Sequence, residues 1–214
     1  MMGNVIFWTI LSFKRMNIET LLTNSLEKSK EVINESLNSR EFLESLKKAS
    51  ELIIDTYNQK GKVMLAGNGG SAADSQHICA EFVGRFNFNR PSLPAIALTT
   101  NTSNLTCISN DYGYEKVFSR QIQAFGTNKD TLIVYTTSGK SENILELIKV
   151  ARPLVKSIIA MSGCEAQLLV DHCDVVISVN SDKTPKIQEV HAIAGHMICE
   201  SVEFELFGDI KDTT

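Results

Sequence analysis

The stretch that decides the fold is Val63-Met64-Leu65-Ala66-Gly67-Asn68-Gly69-Gly70-Ser71-Ala72-Ala73-Asp74-Ser75-Gln76-His77. It begins as an apolar run of strand length, turns on glycines and continues in residues that a helix tolerates. Such a unit is a common anion site, because the first helical N–H groups and the positive end of the helix dipole face the ligand. His77 and Glu81 stand at i and i+4, which places an imidazole and a carboxylate on one helical face. The stretch therefore predicts a phosphate or sugar cradle beside a metal-ligand or acid–base pair.

The composition is that of a soluble globular protein. The 214 residues are 43% hydrophobic and 21% charged, with a net charge of -4. A nucleic-acid-binding protein usually carries a basic face, and no basic run occurs here, so we expect no nucleic-acid partner. The 5 cysteines are scattered and contain no CxxC pair. They are typical of reduced cysteines in a cytoplasmic protein and argue against a thiolate zinc site.

The first sixteen residues differ in character from the rest. Val5–Phe13 is an apolar run followed by Lys14 and Arg15. The run is too short to span a bilayer, and a signal peptide carries its positive charges before the apolar run. We therefore interpret residues 1–16 as a non-native or extra N-terminal extension, with a small packing segment as the alternative and no membrane association.

Strand and helix patterns alternate from residue 61 onward. Two amphipathic helical patterns come first and define a helical arm over residues 17–60, with Ser39 as N-cap of the second helix. The predicted strands are Val63–Gly67, Ala95–Leu98, Thr131–Tyr135, Ser157–Ala160 and Val175–Val179. The main predicted helices are Ser71–Phe86, Glu142–Ala151 and Pro185–Phe207, the last one ended by Gly208, and Asn110–Gly113 is predicted to be a turn. This alternation predicts an α/β domain over residues 61–208 with a mainly parallel sheet.

Two loops at carboxyl ends of strands are candidate ligand sites. Thr136–Ser141 combines hydroxyls, a glycine, a lysine and a helix N-terminus, which suits a phosphate monoester, although Ser141 could simply cap the helix. A P-loop is excluded, because Val134 stands where that motif needs glycine. Gly67–Ala72 fits the loose dinucleotide pattern, but no acidic residue ends the next strand, which disfavours NAD.

The last helix supplies a second group of candidate ligands. Gln188 and His196 lie on one stripe of an otherwise apolar helix, and buried polar side chains need partners. Together with His77 and Glu81 they form a plausible four-ligand set for zinc or a similar divalent ion. His191 competes for this role, whereas His172 is typical of a polar loop.

The sequence resembles the phosphoheptose isomerases of the sugar isomerase (SIS) domain family over nearly all of residues 17–207. The resemblance rests on Gly67-Asn68-Gly69-Gly70-Ser71, His77 with Glu81 and Arg85, Asn110-Asp111, Thr137-Ser138-Gly139 with Ser141, and Ile187-Gln188-Glu189 with His196. It implies an α/β three-layer αβα sandwich with a five-stranded parallel sheet, whose N-terminal helices pack on the body or on partner subunits. It also implies a homotetramer with shared active sites.

The resemblance further implies the reaction and its residues. The expected reaction converts D-sedoheptulose 7-phosphate to D-glycero-D-manno-heptose 7-phosphate, the first step of nucleotide-activated heptose biosynthesis. One Zn²⁺ per subunit is expected on His77, Glu81, Gln188 and His196. The expected substrate contacts are Asn68, Gly69, Gly70, Glu81, Arg85, Asn110, Asp111, Thr136, Thr137, Ser138, Ser141 and Gln188.

An aldose–ketose isomerase needs a base near carbon and an acid near the carbonyl oxygen, and we assign these roles to Glu81 and His196. Two positions depart from the family pattern: Lys140 replaces a small polar residue, and Pro185 leaves no carboxylate at its position. The alternative function is a non-catalytic SIS protein that binds a sugar phosphate or associates with the DnaA initiator.

Overall fold

A computed structural model describes residues 17–211 as one sheet with helices on both faces. The strands are β1 Val63–Gly67, β2 Ala95–Ala97, β3 Thr131–Thr136, β4 Ser157–Ser162 and β5 Val175–Ser178. The helices are α1 Ile18–Asn38, α2 Arg40–Asn58, α3 Gly70–Val83, α4 Thr102–Tyr112, α5 Ser119–Phe125, α6 Glu142–Ala151, α7 Gln167–Val170 and α8 Thr184–Lys211, with a 3-10 turn at Tyr114–Lys116. The extension predicted for residues 1–16 lies outside the described residues. No helix between residues 17 and 211 is long and apolar enough to cross a membrane.

The sheet is parallel throughout, with strand order β2-β1-β3-β4-β5. This confirms the predicted α/β fold with five parallel strands. The chain leaves β1 toward one edge and returns to form β3 on the other side of β1, so the topological switch point lies between β1 and β3. Ligands of open parallel sheets bind in the crevice at such a point, outside the carboxyl ends of the strands. The loops that follow β1 and β3 therefore flank the expected binding crevice.

Alternate side chains of each central strand enter two separate cores. Leu65, Ile133 and Ile159 belong to the core on the face that carries α2, α3 and α8. Met64 and Leu132 belong to the core on the face that carries α5, α6 and α7. Because both faces are covered, the strands are continuous apolar runs rather than alternating ones. The result is the three-layer αβα sandwich.

The N-terminal helices differ in how deeply they pack. Ser39 caps α2 by accepting a hydrogen bond from Phe42 N at 3.3 Å, as predicted. Phe42 and Ile53 of α2 are buried in the core shared with α8. In α1, by contrast, Leu22 and Leu26 remain 64% and 62% exposed. The first helix therefore presents an apolar face that the rest of residues 17–211 leaves exposed.

Three predicted boundaries were wrong by three residues or more. Helix α3 ends at Val83 rather than Phe86, and α4 continues to Tyr112 through the predicted turn at Asn110-Asp111. Helix α8 passes through Gly208 to Lys211. A glycine ends a helix when it adopts positive φ, as Gly113 does at φ 91°; inside a helix it costs only about 1 kcal/mol.

A buried ion pair fixes the loop between α3 and β2 against α8. The Arg90 and Glu203 side chains are each 1% exposed, with Arg90 Nε 3.1 Å from Glu203 Oε1. The backbone N–H groups of Phe86 and Asn87 also donate to this carboxylate, at 2.9 and 2.6 Å. Arg90 in turn donates to the carbonyl of Glu81 at 2.8 Å. The end of α3 that carries Glu81 is therefore tied to α8.

We predict that Glu203→Ala strongly destabilises the protein. The substitution leaves a buried guanidinium without its counter-charge and two backbone N–H groups without an acceptor, and removing one partner of a buried pair costs about 3–5 kcal/mol. The free energy of unfolding from urea titration measures the effect. Glu205→Ala, at an exposed position on the same helix, is the control and should change it little. Equal losses in the two variants would contradict the role of the pair.

Candidate active site

Helices α3 and α8 approach each other closely where the candidate ligands lie. A Cβ at Gly195 would stand 2.6 Å from Cδ1 of Ile78, so any larger residue there would force the Ile78 side chain to shift. Ile78 follows His77 in the chain, and His196 follows Gly195. The close approach therefore brings the two histidines, one from each helix, to the same side of the contact.

Three ligand-type side chains converge there. His77 Nε2 lies 3.1 Å from Glu81 Oε1 and 3.3 Å from His196 Nε2. One ligand atom from each residue lies within 4.8 Å of the others. The two imidazole rings meet edge to face at 4.9 Å, and Phe86 lies 5.5 Å from the ring of His196. We call His77, Glu81 and His196 the ligand trio.

Gln188 and His191 occupy different environments on α8. The Gln188 amide lies against Gly70 at the start of α3, where a Cβ would stand 2.4 Å from Gln188 Nε2. His191 is fully buried and its Nε2 lies 3.2 Å from the carbonyl oxygen of Ser162. Burial lowers the pKa of His191 to about 4. The structure thus removes His191 from competition for the trio, and His172 is exposed as expected.

The loop after β1 is held by an amide pair. Asn68 and Asn143 exchange two hydrogen bonds of 2.9 Å through their side chains. The hydroxyl of Tyr114 donates to Asn68 Oδ1 at 3.0 Å. Asn68 therefore has a fixed amide orientation at the switch point between β1 and β3.

The hydroxyl loop, Thr136–Ser141, follows β3 and leads into α6. Thr136 is buried and accepts from Gly139 N at 3.2 Å, so its hydroxyl shapes the loop. Ser138 is exposed and accepts from Lys140 N at 3.2 Å. The Thr137 hydroxyl lies 3.3 Å from that of Thr184 at the start of α8. Ser141 occupies the N-cap position without a side-chain capping bond, which disfavours the view that it serves only as a cap.

The remaining predicted site residues lie on the surface. Asn110 donates to Asp111 Oδ1 at 2.8 Å near the end of α4, one short turn before Tyr114. Arg85 is exposed in the loop after α3, next to Phe86. Pro185, which was not a predicted site residue but a departure from the family pattern, is exposed in the first turn of α8. The structure does not bring these residues into the ligand trio.

Comparison with known proteins assigns the family. Residues 20–163 match the family model of the SIS domain. The phosphoheptose isomerase of Burkholderia pseudomallei is 49% identical over 189 residues, which cover 88% of this chain and 96% of that protein. The phosphoheptose isomerase of Clostridium acetobutylicum is 44% identical over 195 residues, covering 91% and 97%. The structure of the phosphoheptose isomerase from Neisseria gonorrhoeae superposes with a TM-score of 0.81 at 34% identity, covering 87% of this chain and 99% of that one.

The chain belongs to the phosphoheptose isomerase family. Within that family the relatives are enzymes, so the alternative of a non-catalytic SIS protein loses its support. The roles of the individual site residues, the bound metal and the subunit number stay predictions.

Three residues around this phosphoheptose isomerase site were not predicted from the sequence. Asn143 and Tyr114 hold Asn68, and the contact with Asn143 depends on β1 lying next to β3. Asp74 lies one turn before His77 on α3; burial raises its pKa, and nearby His77 opposes the shift. Asp74 Oδ2 is buried and has no hydrogen-bond partner among residues 17–211. The spacing of Asp74 and His77, at i and i+3, was the available signal for this residue.

We predict that His191 makes the stability of this protein acid-sensitive. A histidine whose folded pKa is about 4, against 6.5 for the ordinary group, is neutral in the fold but protonates in the unfolded chain. The contribution of neutral His191 to the free energy of unfolding is therefore complete above pH 6.5. It is lost as pH falls toward 4, and the loss reaches about 3 kcal/mol.

His191→Gln keeps a donor near the Ser162 carbonyl but cannot titrate in this range. Its free energy of unfolding, measured with a chelator present, should fall less steeply between pH 7 and 4.5 than that of the wild type. His172→Gln, at an exposed histidine, is the matched control and should keep the wild-type slope. An unchanged slope in His191→Gln would show that another group causes the acid sensitivity.

Proposed function

We propose that this chain isomerises D-sedoheptulose 7-phosphate to D-glycero-D-manno-heptose 7-phosphate, which supplies the precursor of nucleotide-activated heptose for lipopolysaccharide or another glycan. The observation that carries the proposal is the ligand trio, in which two imidazoles and a carboxylate converge from two helices. The trio lies at α3, the helix that follows β1, and the switch point of the sheet lies beside β1. Membership in the phosphoheptose isomerase family supports the same substrate class.

We propose Zn²⁺ as the cofactor, one ion per subunit, bound by His77, Glu81, Gln188 and His196. The fit can be tested on the distances within the trio. Tetrahedral zinc with ligand bonds of about 2.0–2.1 Å requires ligand atoms about 3.3–3.4 Å apart. The separations of 3.1 Å from His77 to Glu81 and 3.3 Å from His77 to His196 agree with that requirement. When bound, the ion supplies Lewis-acid polarisation of the substrate carbonyl.

The side chains of the trio can move the protons that the reaction requires. The isomerisation transfers a proton between C1 and C2 and another between the two oxygens, through an ene-diol. Glu81 is the proposed base at carbon, with one carboxylate oxygen directed at His77 and the other expected to take the proton. His196 is the proposed acid at the carbonyl oxygen. Its ring is fixed by Phe86 and His77, which limits the directions in which it can donate.

The substrate contacts fall into two groups. The glycine turn with Asn68, together with Arg85, Gln188 and the Asn110-Asp111 pair, is proposed to bind the sugar hydroxyls. The hydroxyl loop is proposed to bind the 7-phosphate, because its hydroxyls stand at the N-terminus of α6, where the helix dipole favours an anion. Thr137, Ser138 and Ser141 are the hydroxyls best suited to this, whereas Thr136 is buried.

The exposed apolar face of α1 supports assembly into a homotetramer. Ile18, Leu21, Leu22 and Leu26 are between 56% and 73% exposed and share one face at helical spacing. Contiguous exposed apolar side chains usually mark a contact surface. We propose that this face meets partner subunits. A cytoplasmic location is proposed from the reduced character of the cysteines, all of which are free.

The proposal predicts metal-dependent turnover. Purified protein should convert D-sedoheptulose 7-phosphate, should lose most activity after dialysis against a chelator, and should recover it on addition of Zn²⁺. Elemental analysis should find about one zinc per chain when the protein is active. Full activity in protein shown to contain no divalent metal would refute the cofactor, and the absence of turnover under all metal conditions would refute the reaction.

Glu81→Gln tests the proposed base. The amide keeps the shape of the side chain but cannot accept the proton, so kcat should fall about 10²–10⁴-fold, as expected for a positioned acid or base. Exchange of substrate C1 or C2 hydrogen with heavy water should fall in parallel. Glu200→Gln, an exposed site on α8, should leave both rates unchanged. If Glu81→Gln retains its metal and more than about a tenth of the wild-type rate, a different group is the base.

A further inference from the structure

One ion pair beside the hydroxyl loop has no role in the function described so far. The Lys140 ammonium, within the loop, pairs with the carboxylate of Glu165 in the loop between β4 and α7. The two side chains are 61% and 60% exposed. A solvent-exposed pair of this kind contributes little to stability, typically 1 kcal/mol or less. Stability alone therefore gives little reason for the pairing.

The backbone holds the two loops together independently of this pair. Gly139 adopts φ +65°, and a Cβ there would stand 2.2 Å from the carbonyl oxygen of Glu165. A Cβ at Gly163 would likewise stand 2.5 Å from the carbonyl oxygen of Thr137. The two loops therefore touch at two backbone positions. Glu165 stays next to Lys140 whether or not the side chains are paired.

The surroundings of the loop include a buried hydroxyl that has no partner. Ser162 is fully buried, and its Oγ has no hydrogen-bond partner among residues 17–211. It lies beneath the loop, 3.7 Å from where a Cβ of Gly139 would stand. Unsatisfied buried polar atoms in a native fold call for an explanation, such as a ligand or an ordered water. The hydroxyl loop therefore has a polar side chain beneath it, Ser162, in addition to its own hydroxyl groups.

We propose that Lys140 and Glu165 form a substrate-responsive ion pair, in which the phosphate of the substrate and the Glu165 carboxylate compete for the Lys140 ammonium. This inference rests on the proposed phosphate role of the hydroxyl loop. A phosphate monoester at this loop carries up to two negative charges next to Lys140, against one on Glu165. On binding, Lys140 turns from the carboxylate toward the phosphate. Lys140 thereby increases affinity for phosphorylated substrate. Glu165 reduces that increase, because the phosphate must first displace its carboxylate from Lys140.

The competition predicts opposite effects for two substitutions. Lys140→Met removes the ammonium, so KM and the inhibition constant of inorganic phosphate should both rise about fivefold to tenfold, because hydrogen bonds to ionised groups are the stronger ones. Glu165→Gln removes the competitor, so both constants should fall about threefold, the scale of an exposed pair. Neither change should appear in kcat. Both differences from the wild-type constants should become smaller at high salt, since exposed charges are screened.

A double variant separates competition from independent effects. If Glu165 acts only through Lys140, then Lys140→Met combined with Glu165→Gln should match Lys140→Met alone. Additive effects would mean that Glu165 repels the phosphate directly, and would overturn the competition. Lys149→Met, in the last turn of the same helix α6, is the control and should change neither constant.

Ser138→Ala distinguishes failure of this inference from failure of the proposed phosphate site. Calorimetric titration with inorganic phosphate measures binding without relying on turnover. If Ser138→Ala weakens phosphate binding while the Lys140 and Glu165 variants bind as the wild type does, the ion-pair inference alone is overturned. If Ser138→Ala also binds as the wild type does, the phosphate site lies elsewhere, and the proposed substrate contacts fall together with the inference.

Discussion

The close approach of α3 and α8 is the constraint on which the site depends. His77 and Glu81 lie on the first of these helices and His196 lies on the second, more than a hundred residues later in the chain. Position 195 has no side chain to displace that of Ile78, which is buried in this contact. A larger residue there would press on Ile78, whose neighbour His77 has its Nε2 only 3.3 Å from Nε2 of His196. Packing at an apolar contact therefore sets the geometry of a polar centre.

The buried pair of Arg90 and Glu203 holds the same two helices at their other end. The Glu203 carboxylate accepts hydrogen bonds from two backbone N–H groups of the loop after α3. Arg90 donates a hydrogen bond to the carbonyl oxygen of Glu81. The carboxylate proposed as base thus belongs to a residue whose backbone is tied to α8. This arrangement accounts for the early end of α3 at Val83, because the following residues must turn to reach Glu203. The loop gives up helical hydrogen bonds and gains bonds to a buried carboxylate.

Much of the fold could be predicted from local pattern. The predicted bounds of β1, Val63–Gly67, and α6, Glu142–Ala151, agree with the structure, because each has a strong apolar pattern and a clear turn before or after it. The end of α8 could not be predicted in this way. Gly208 would end the helix only if its φ were positive. The sign of φ there depends on the conformation of the neighbouring residues rather than on residue type.

Only part of the candidate site could be predicted from the sequence. His77 and Glu81 are visible as a pair because they share one helix. The amide pair of Asn68 and Asn143 is not visible, because it forms between the loop after β1 and the first turn of α6, the helix that follows β3. It requires knowledge that these two strands are neighbours, which is a property of the sheet order. Contacts within one element can be inferred from spacing, and contacts between elements require the topology.

Helix α8 connects the two ends of the proposed substrate site. Thr184, at its start, contacts Thr137 in the hydroxyl loop, and His196 lies further along the same helix. Between them, His191 ties α8 to the carbonyl of Ser162 at the end of β4. A single helix therefore carries residues of both parts of the proposed substrate site, the phosphate loop and the ligand trio.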